Sequence, residues 1–188
     1  GKASTRSGYT AGILGDGTVI ITGGTFGFDP TNWVPAGYIA EKDGDNWVVV
    51  SLAEGDNLKE AVSVPGATVK MAAGEYTFPS SSIAEGVTIE CEEGTVFTGT
   101  SSLNIKGATV IGATFSNPSG TAASYHQTIN GTFKDCIFTG SNAIRYAYAG
   151  ETCYFENCEF SGSVYGFHFD GGTNDAYFKN CTFSGFNA

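Results

Sequence analysis

Three stretches decide how this chain reads: TFKDCIFTG at 132–140, YFENCEFSG at 154–162 and YFKNCTFSG at 177–185. Each carries a Phe, a charge, an Asn or Asp, a Cys, a second Phe, a hydroxyl residue and a Gly in fixed order. The second Phe recurs as Phe115, Phe138, Phe160 and Phe183, at steps of 23, 22 and 23. Cys136, Cys158 and Cys181 keep the same beat, with Ala113 in the earlier place. Upstream, GATVKM (66–71), GVTIEC (86–91) and GATVIG (107–112) carry the first apolar column back. It then runs Val69, Ile89, Val110, Phe133, Phe155 and Phe178, at steps of 20, 21, 23, 22 and 23.

A period of 20–23 residues built from β-favouring positions is one coil of a solenoid of short strands. Coils stack about 4.8 Å apart, so equivalent positions form columns. Leucine-rich repeats share the period, but Leu stands only at 14, 52, 58 and 103. Phe155 and Phe160 are five apart, so one straight strand would put them on opposite faces. A bend at Asn157, with Asp135 and Asn180 at the same corner, brings both inside, and Asn and Asp tolerate the left-handed backbone a tight corner needs. The chain also holds 27 Gly in 188 residues, which suits a turn-dense β protein.

These coils, with NLKEAVSVPGATVKMAAGEYTF (57–78) before them, resemble the right-handed parallel β-helix proteins of the pectin-lyase-like class. In that class a short helix caps the first coil and a Gly-x-x-Val … Gly-x-Tyr rung follows. Here Asn57 and Glu60 suit a capping box for a helix over 57–63, and Gly66, Val69, Gly74 and Tyr76 match the entry rung. The expected fold is therefore all-β: a right-handed single-stranded parallel β-helix of about six rungs over 57–188, with a short N-terminal capping helix. Residues 1–56 are expected to form a separate N-terminal β segment or cap. They resemble a GGTF … GY … W-V module of large bacterial surface proteins and some phage proteins, with strands at Val19–Ile21, Tyr38–Ala40 and Trp47–Val50 and a KDGDN turn. The opening GKASTRSG reads as a start inside a longer protein, and FSGFNA (183–188) stops part-way through a rung. A further chain segment or another subunit is expected to cover that end.

Nineteen acidic residues against nine basic ones give a net charge of −10. That field repels phosphate backbones and anionic lipid, so nucleic acid and membrane surfaces are poor partners. No apolar run approaches the ~18 residues a spanning helix needs. Five cysteines are odd in number. Three share an inward column, where neighbours ~4.8 Å apart are too far for the usual disulfide geometry and a linear file makes no tetrahedral metal site. A ladder of packed thiols is the preferred reading, with Cys153 outside it as the exposed thiol. Lys134, Glu156 and Lys179 form an outward column of alternating sign, read as a salt-bridge ladder in preference to a catalytic acid at Glu156.

The second strand of each rung is the candidate site. SYHQT (124–128), IRYAY (144–148) and YGFHFD (165–170) align at intervals of 21, putting Tyr125, Tyr146 and Phe167 in one column and His126, Ala147 and His168 in the next. Both histidines would share a face, with Arg145 and Asp170 nearby. His126, Arg145, Tyr146, His168 and Asp170 are the expected ligand-binding residues, for a sugar chain held by stacking and hydrogen bonds. The competing reading is a solvated polar face beside an aromatic ladder. The class resembled also contains lyases and hydrolases, whose pectate-lyase members gather carboxylates around calcium beside a basic proton acceptor. The coils here hold one Arg, and their acids scatter over different faces. No paired-carboxylate arrangement, nucleophile elbow, zinc motif or phosphate loop is present. No catalytic residue, metal or cofactor is assigned. The expected function is a non-catalytic extracellular or cell-surface, adhesin-type module that binds polysaccharide, a host glycan or a partner surface. The alternatives are a polysaccharide lyase or glycoside hydrolase, and a phage tail fibre or tailspike segment, which would trimerise.

Overall fold

In the computed structural model, residues 2–3, 18–79, 83–98, 103–105, 107–117, 128–129, 131–146, 152–169 and 175–185 are described. The chain divides into two compact units, Gly1–Leu58 and Lys59–Ala188.

The first unit is a four-stranded sheet. Tyr38–Asp43 and Asn46–Ser51 form a hairpin whose register closes at Asp43 opposite Asn46, and Gly44 at the turn takes φ +59°. Gly24–Phe26 pairs antiparallel on Trp47–Val49, and Lys2–Ala3 adds in parallel beyond it. The strand expected at Val19–Ile21 is displaced to Gly24–Phe26. The Ile21 amide donates to the Trp33 carbonyl at 2.8 Å instead of joining the ladder, which holds Ile21 in the small core with Phe26 and Val49.

The second unit is a parallel β-solenoid. One six-stranded sheet stacks Thr68–Met71, Thr88–Cys91, Thr109–Ile111, Gly131–Lys134, Thr152–Glu156 and Asp175–Lys179. The other stacks Gly74–Thr77, Thr95–Thr98, Thr114–Asn117, Ile137–Tyr146, Glu159–Phe169 and Thr182–Ser184. A short pair, Leu103–Asn104 and Thr128–Ile129, completes the described ladders. Every pairing within these sheets is parallel between successive coils, as a solenoid requires.

The registers show both predicted columns. Val69, Ile89, Val110, Phe133, Phe155 and Phe178 pair in turn. Phe115, Phe138, Phe160 and Phe183 do likewise, and Phe97 and Tyr76 extend that column to the first coil. Rings stack nearly parallel up each column: Phe115–Phe138 at 4.9 Å, Phe138–Phe160 at 5.1 Å and Phe133–Phe155 at 5.3 Å. Between columns they meet edge to face, as Phe133 does on Phe138 at 5.3 Å and 78°. The edge-to-face contacts are a favoured aromatic geometry.

Between the two strands of a rung, Asp135, Asn157 and Asn180 take φ +53°, +54° and +55°, the left-handed corner that five-residue Phe spacing demands. The corners bond to one another. Asn157 Nδ2 donates to Asp135 Oδ1 at 3.0 Å, and Asn180 Nδ2 donates to Asn157 Oδ1 at 3.3 Å. The helix is shorter than expected. It spans Asn57–Ala61 and closes through a tighter turn, in which Ser63 donates both its amide (3.0 Å) and its hydroxyl (2.7 Å) to the Glu60 carbonyl. Asn57 donates its side-chain amide to the Ser51 carbonyl at 2.7 Å.

Candidate functional site

A solenoid this regular displays its chemistry as columns, so the faces are best described column by column. All five cysteines are free thiols. Cys136 and Cys158 are buried in the predicted file, and each thiol lies close to backbone carbonyls: Cys136 Sγ at 3.2 Å from Lys134 O, and Cys158 Sγ at 3.4 Å from Glu156 O. Burial pushes the Cys136 thiol well up, and that of Cys91 up to about 12, which removes both as nucleophiles at neutral pH. Cys153 is buried too, contrary to expectation. It sits two residues before Phe155 and so shares its inward face, opposite Gly131 and Ala176 in neighbouring coils. Gly131 has no room for a side chain, because Ile105 fills that position and the Ala108 carbonyl lies 3.0 Å from where a Cβ would stand.

On the outward face of the first sheet, Glu156 lies between two lysines. Lys179 Nζ donates to Glu156 Oε1 at 2.6 Å, and Lys134 Nζ lies 3.7 Å from Oε2. The Lys179 hydrogen bond and charge hold the Glu156 carboxyl below its usual range, with Lys134 adding to the effect, and the same contact raises Lys179. Glu156 is thus held ionised, which suits a salt-bridge ladder and not a proton donor. The next outward column runs Thr68, Thr88, Thr109, Thr132, Tyr154 and Tyr177. Its two tyrosines stack at 5.2 Å with their planes 13° apart, and they stay 50% and 54% exposed.

The outward face of the second sheet carries a feature the sequence reading missed. Thr77, Thr98, Ser116, Thr139, Ser161 and Ser184 occupy one column, a hydroxyl on every coil. All six are partly or fully exposed. Coils stand about 4.8 Å apart, and no bond joins successive hydroxyls of the column among the described residues. Thr98 reaches the Tyr76 carbonyl only at 3.5 Å, and the other five have no hydrogen-bond partner among the described residues. Each therefore offers one donor and two acceptor positions to solvent or a ligand. Glu75, Val96, Thr114, Ile137, Glu159 and Thr182 line the adjacent outward column.

Of the residues predicted to bind ligand, His126 and Asp170 lie outside the described residues, as does Ala147. Arg145, Tyr146 and His168 lie on the long strands Ile137–Tyr146 and Glu159–Phe169. There the register differs from the 21-residue alignment. Gly140 pairs with Gly162 but Asn142 pairs with Tyr165, so an irregularity adds a residue and the offset becomes 23. Ile144 then pairs with Phe167, Arg145 with His168 and Tyr146 with Phe169. The shift is two residues, so every cross-strand partner changes. Arg145 and His168 become immediate cross-strand neighbours. Among the described residues no group of His, Cys, Asp or Glu could hold a metal ion, and no helix is long and apolar enough to cross a membrane.

Comparison with protein-family models, curated proteins and solved structures returns no match.

Proposed function

We propose that the solenoid is a non-catalytic, extracellular or cell-surface binding module, of the adhesin type, whose ligand is an elongated carbohydrate lying along its axis. The hydroxyl column from Thr77 to Ser184 is the observation that carries this reading: six hydroxyl residues, one per coil, partly or fully exposed, five of them without a partner among the described residues. A polymer with one hydroxyl-bearing unit per repeat can match such a row, and each good contact adds about 1 kcal/mol. The net charge of −10 and the neighbouring Glu75 and Glu159 favour a neutral glycan over a polyanion. The exposed Tyr154–Tyr177 pair gives the first sheet a second place where a sugar or partner surface can dock. The likeness of the coils to the pectin-lyase-like class, and of residues 1–56 to bacterial surface modules, belongs to this proposal as well.

A second reading, a polysaccharide lyase or hydrolase, draws on one observation: the register that makes Arg145 and His168 neighbours. Turnover of a polysaccharide that is lost in Arg145→Ala and His168→Ala would establish it over the first.

Binding to a panel of neutral and acidic polysaccharides, by pull-down and calorimetry, tests the main reading. Thr139→Val with Ser161→Ala removes two hydroxyls from the middle of the row and should weaken binding by about 2 kcal/mol, roughly thirtyfold. A panel on which the chain binds nothing at ~1 mM rejects carbohydrate as the ligand.

A further inference from the structure

The outward column of the first sheet changes character part-way along. Its earlier coils present Thr68, Thr88, Thr109 and Thr132, and the next two present Tyr154 and Tyr177. The tyrosine rings lie 5.2 Å apart with planes 13° from parallel, so they are stacked and their faces turn along the solenoid axis. Tyr177 covers one face of Tyr154. The other face looks back over Thr132, whose short side chain ends well inside the reach of a tyrosine ring. Tyr154 accordingly stays 50% exposed although one face is stacked. The step from Thr132 to Tyr154 is a shelf one ring deep, and both of its strands have described neighbours on either side.

We propose that this shelf binds a single neutral hexopyranose unit, stacked by its C–H face on Tyr154; the site rests on the carbohydrate reading above and adds to it a second, differently oriented subsite. A ring in van der Waals contact stands about 3.5–4.0 Å from Tyr154, and coils repeat at about 4.8 Å. The guest therefore lies level with the coil of Thr132, just outside that side chain. There its edge meets the Thr132 hydroxyl, which is half-buried and has no hydrogen-bond partner among the described residues. Lys134, two residues along the same strand, puts an ammonium at the rim. It stands 3.7 Å from Glu156 Oε2 and keeps donors to spare. A pyranose supplies an apolar face for the ring and hydroxyls at its edge for Thr132 and Lys134. A flat aromatic guest covers Tyr154 equally well but sets an apolar edge against that hydroxyl and ammonium. A nucleotide brings phosphate to a chain of net charge −10. Because the guest's ring plane lies across the axis, its glycosidic bonds leave sideways. The unit bound is a chain end or a branch, not part of a polymer running along the hydroxyl row.

Saturation-transfer NMR of the whole chain with methyl β-glucopyranoside and methyl β-galactopyranoside is the test. Irradiating the aromatic protons should pass magnetisation to the ring C–H protons of the sugar. Tyr154→Phe keeps the face and should keep the signal. Tyr154→Thr removes the face, and Thr132→Tyr fills the shelf with a third stacked ring, so each should abolish it. The column already carries both residue types on adjacent coils, so both variants should fold, which circular dichroism checks. Thr132→Val keeps the shape without the hydroxyl and should weaken binding roughly fivefold. The polysaccharide panel, run on the same samples, reads the hydroxyl row separately. Transfer to the glycosides without polymer binding upholds this site and rejects the row, whereas polymer binding with no transfer rejects this site alone. Transfer that survives both Tyr154→Thr and Thr132→Tyr, or an affinity unchanged in Thr132→Val, overturns the proposal.

Discussion

Replacing Phe138 with Ala tests whether the stacked rings hold the solenoid together. Phe138 is fully buried, flanked up and down its column by Phe115 at 4.9 Å and Phe160 at 5.1 Å, and met edge-on by Phe133 at 5.3 Å. Truncating a buried Phe costs about 3–5 kcal/mol, through lost transfer energy and the cavity left behind. Two stacked neighbours and two edge contacts, the second from Phe155 at 5.8 Å, put Phe138 at the upper end of that range. Phe183 is the internal control. It belongs to the same column and stacks on Phe160 at 4.8 Å, but it is 44% exposed and leaves no closed cavity. Its loss should cost about 1–1.5 kcal/mol, half the transfer value of a buried aromatic. Guanidinium unfolding followed by circular dichroism measures both. Because coils touch only their neighbours, a gap in the middle should also split the solenoid into two weakly coupled blocks, lowering the apparent m-value for Phe138→Ala alone. Phe138→Leu, which refills most of the volume, should recover more than half the loss. Equal costs at Phe138 and Phe183, or a cost below ~1.5 kcal/mol at Phe138, would refute the ring columns as the main source of cohesion.

Asn157→Ala should destabilise more than Asn157→Gly, against the usual order. Both lose the Asp135 and Asn180 side-chain bonds, but only Ala also bears roughly 1 kcal/mol for φ +54°; thermal melts with Ala at or above Gly would contradict this. Glu156→Gln should remove a contribution that depends on pH. Its folded carboxyl titrates below the usual value of 4.5, so the stabilisation is present above that value and is lost as pH falls through the lowered one. Lys179 is raised, so the same contribution fades again only as pH rises past its own ordinary value of 10.5. The gap between wild type and Glu156→Gln should therefore be flat near neutrality, close in acid and shrink in high salt. A gap that persists unchanged at about pH 2 would assign the effect to something other than the ion pair.

How much of this the sequence disclosed depended on which way a column faces. The inward columns use few residue types, nearly all of them apolar among the described residues, and they repeat loudly enough to set the register of both sheets. The corner was legible for a related reason. Five-residue spacing between two buried Phe residues forces a bend, and Asp135, Asn157 and Asn180 supply it at φ +53° to +55°. The third side was harder to place. Between Gly162 and Tyr165 a residue is added without a Gly–Pro or charge signal, so the 21-residue alignment gave the Arg145 strand the wrong partners. Cys153 lies outside the motif's own cysteine column, and it is buried all the same. Its position two residues before Phe155 fixes it inward once strand alternation is applied.

The hydroxyl row went unseen because Ser and Thr are common throughout the chain and do not stand out until the register is known. Thr77, Thr98, Ser116, Thr139, Ser161 and Ser184 are separated by 21, 18, 23, 22 and 23 residues, a spread that hides the column from a search at one period. Apolar alternation on the second sheet is what brings them into line. This bears on how the face works. A pocket concentrates recognition in a few residues, and one substitution can abolish it. A row spreads recognition evenly, so affinity should fall by a similar step for each hydroxyl removed, wherever in the row it lies, and should rise with ligand length until the sixth coil is reached. In the lyase or hydrolase reading, recognition would be concentrated at Arg145 and His168, and one substitution there would abolish it. Single substitutions along Thr77–Ser184 and at Arg145 and His168 therefore separate the two faces by the shape of the loss as well as its size: graded and length-dependent on one, all-or-none on the other.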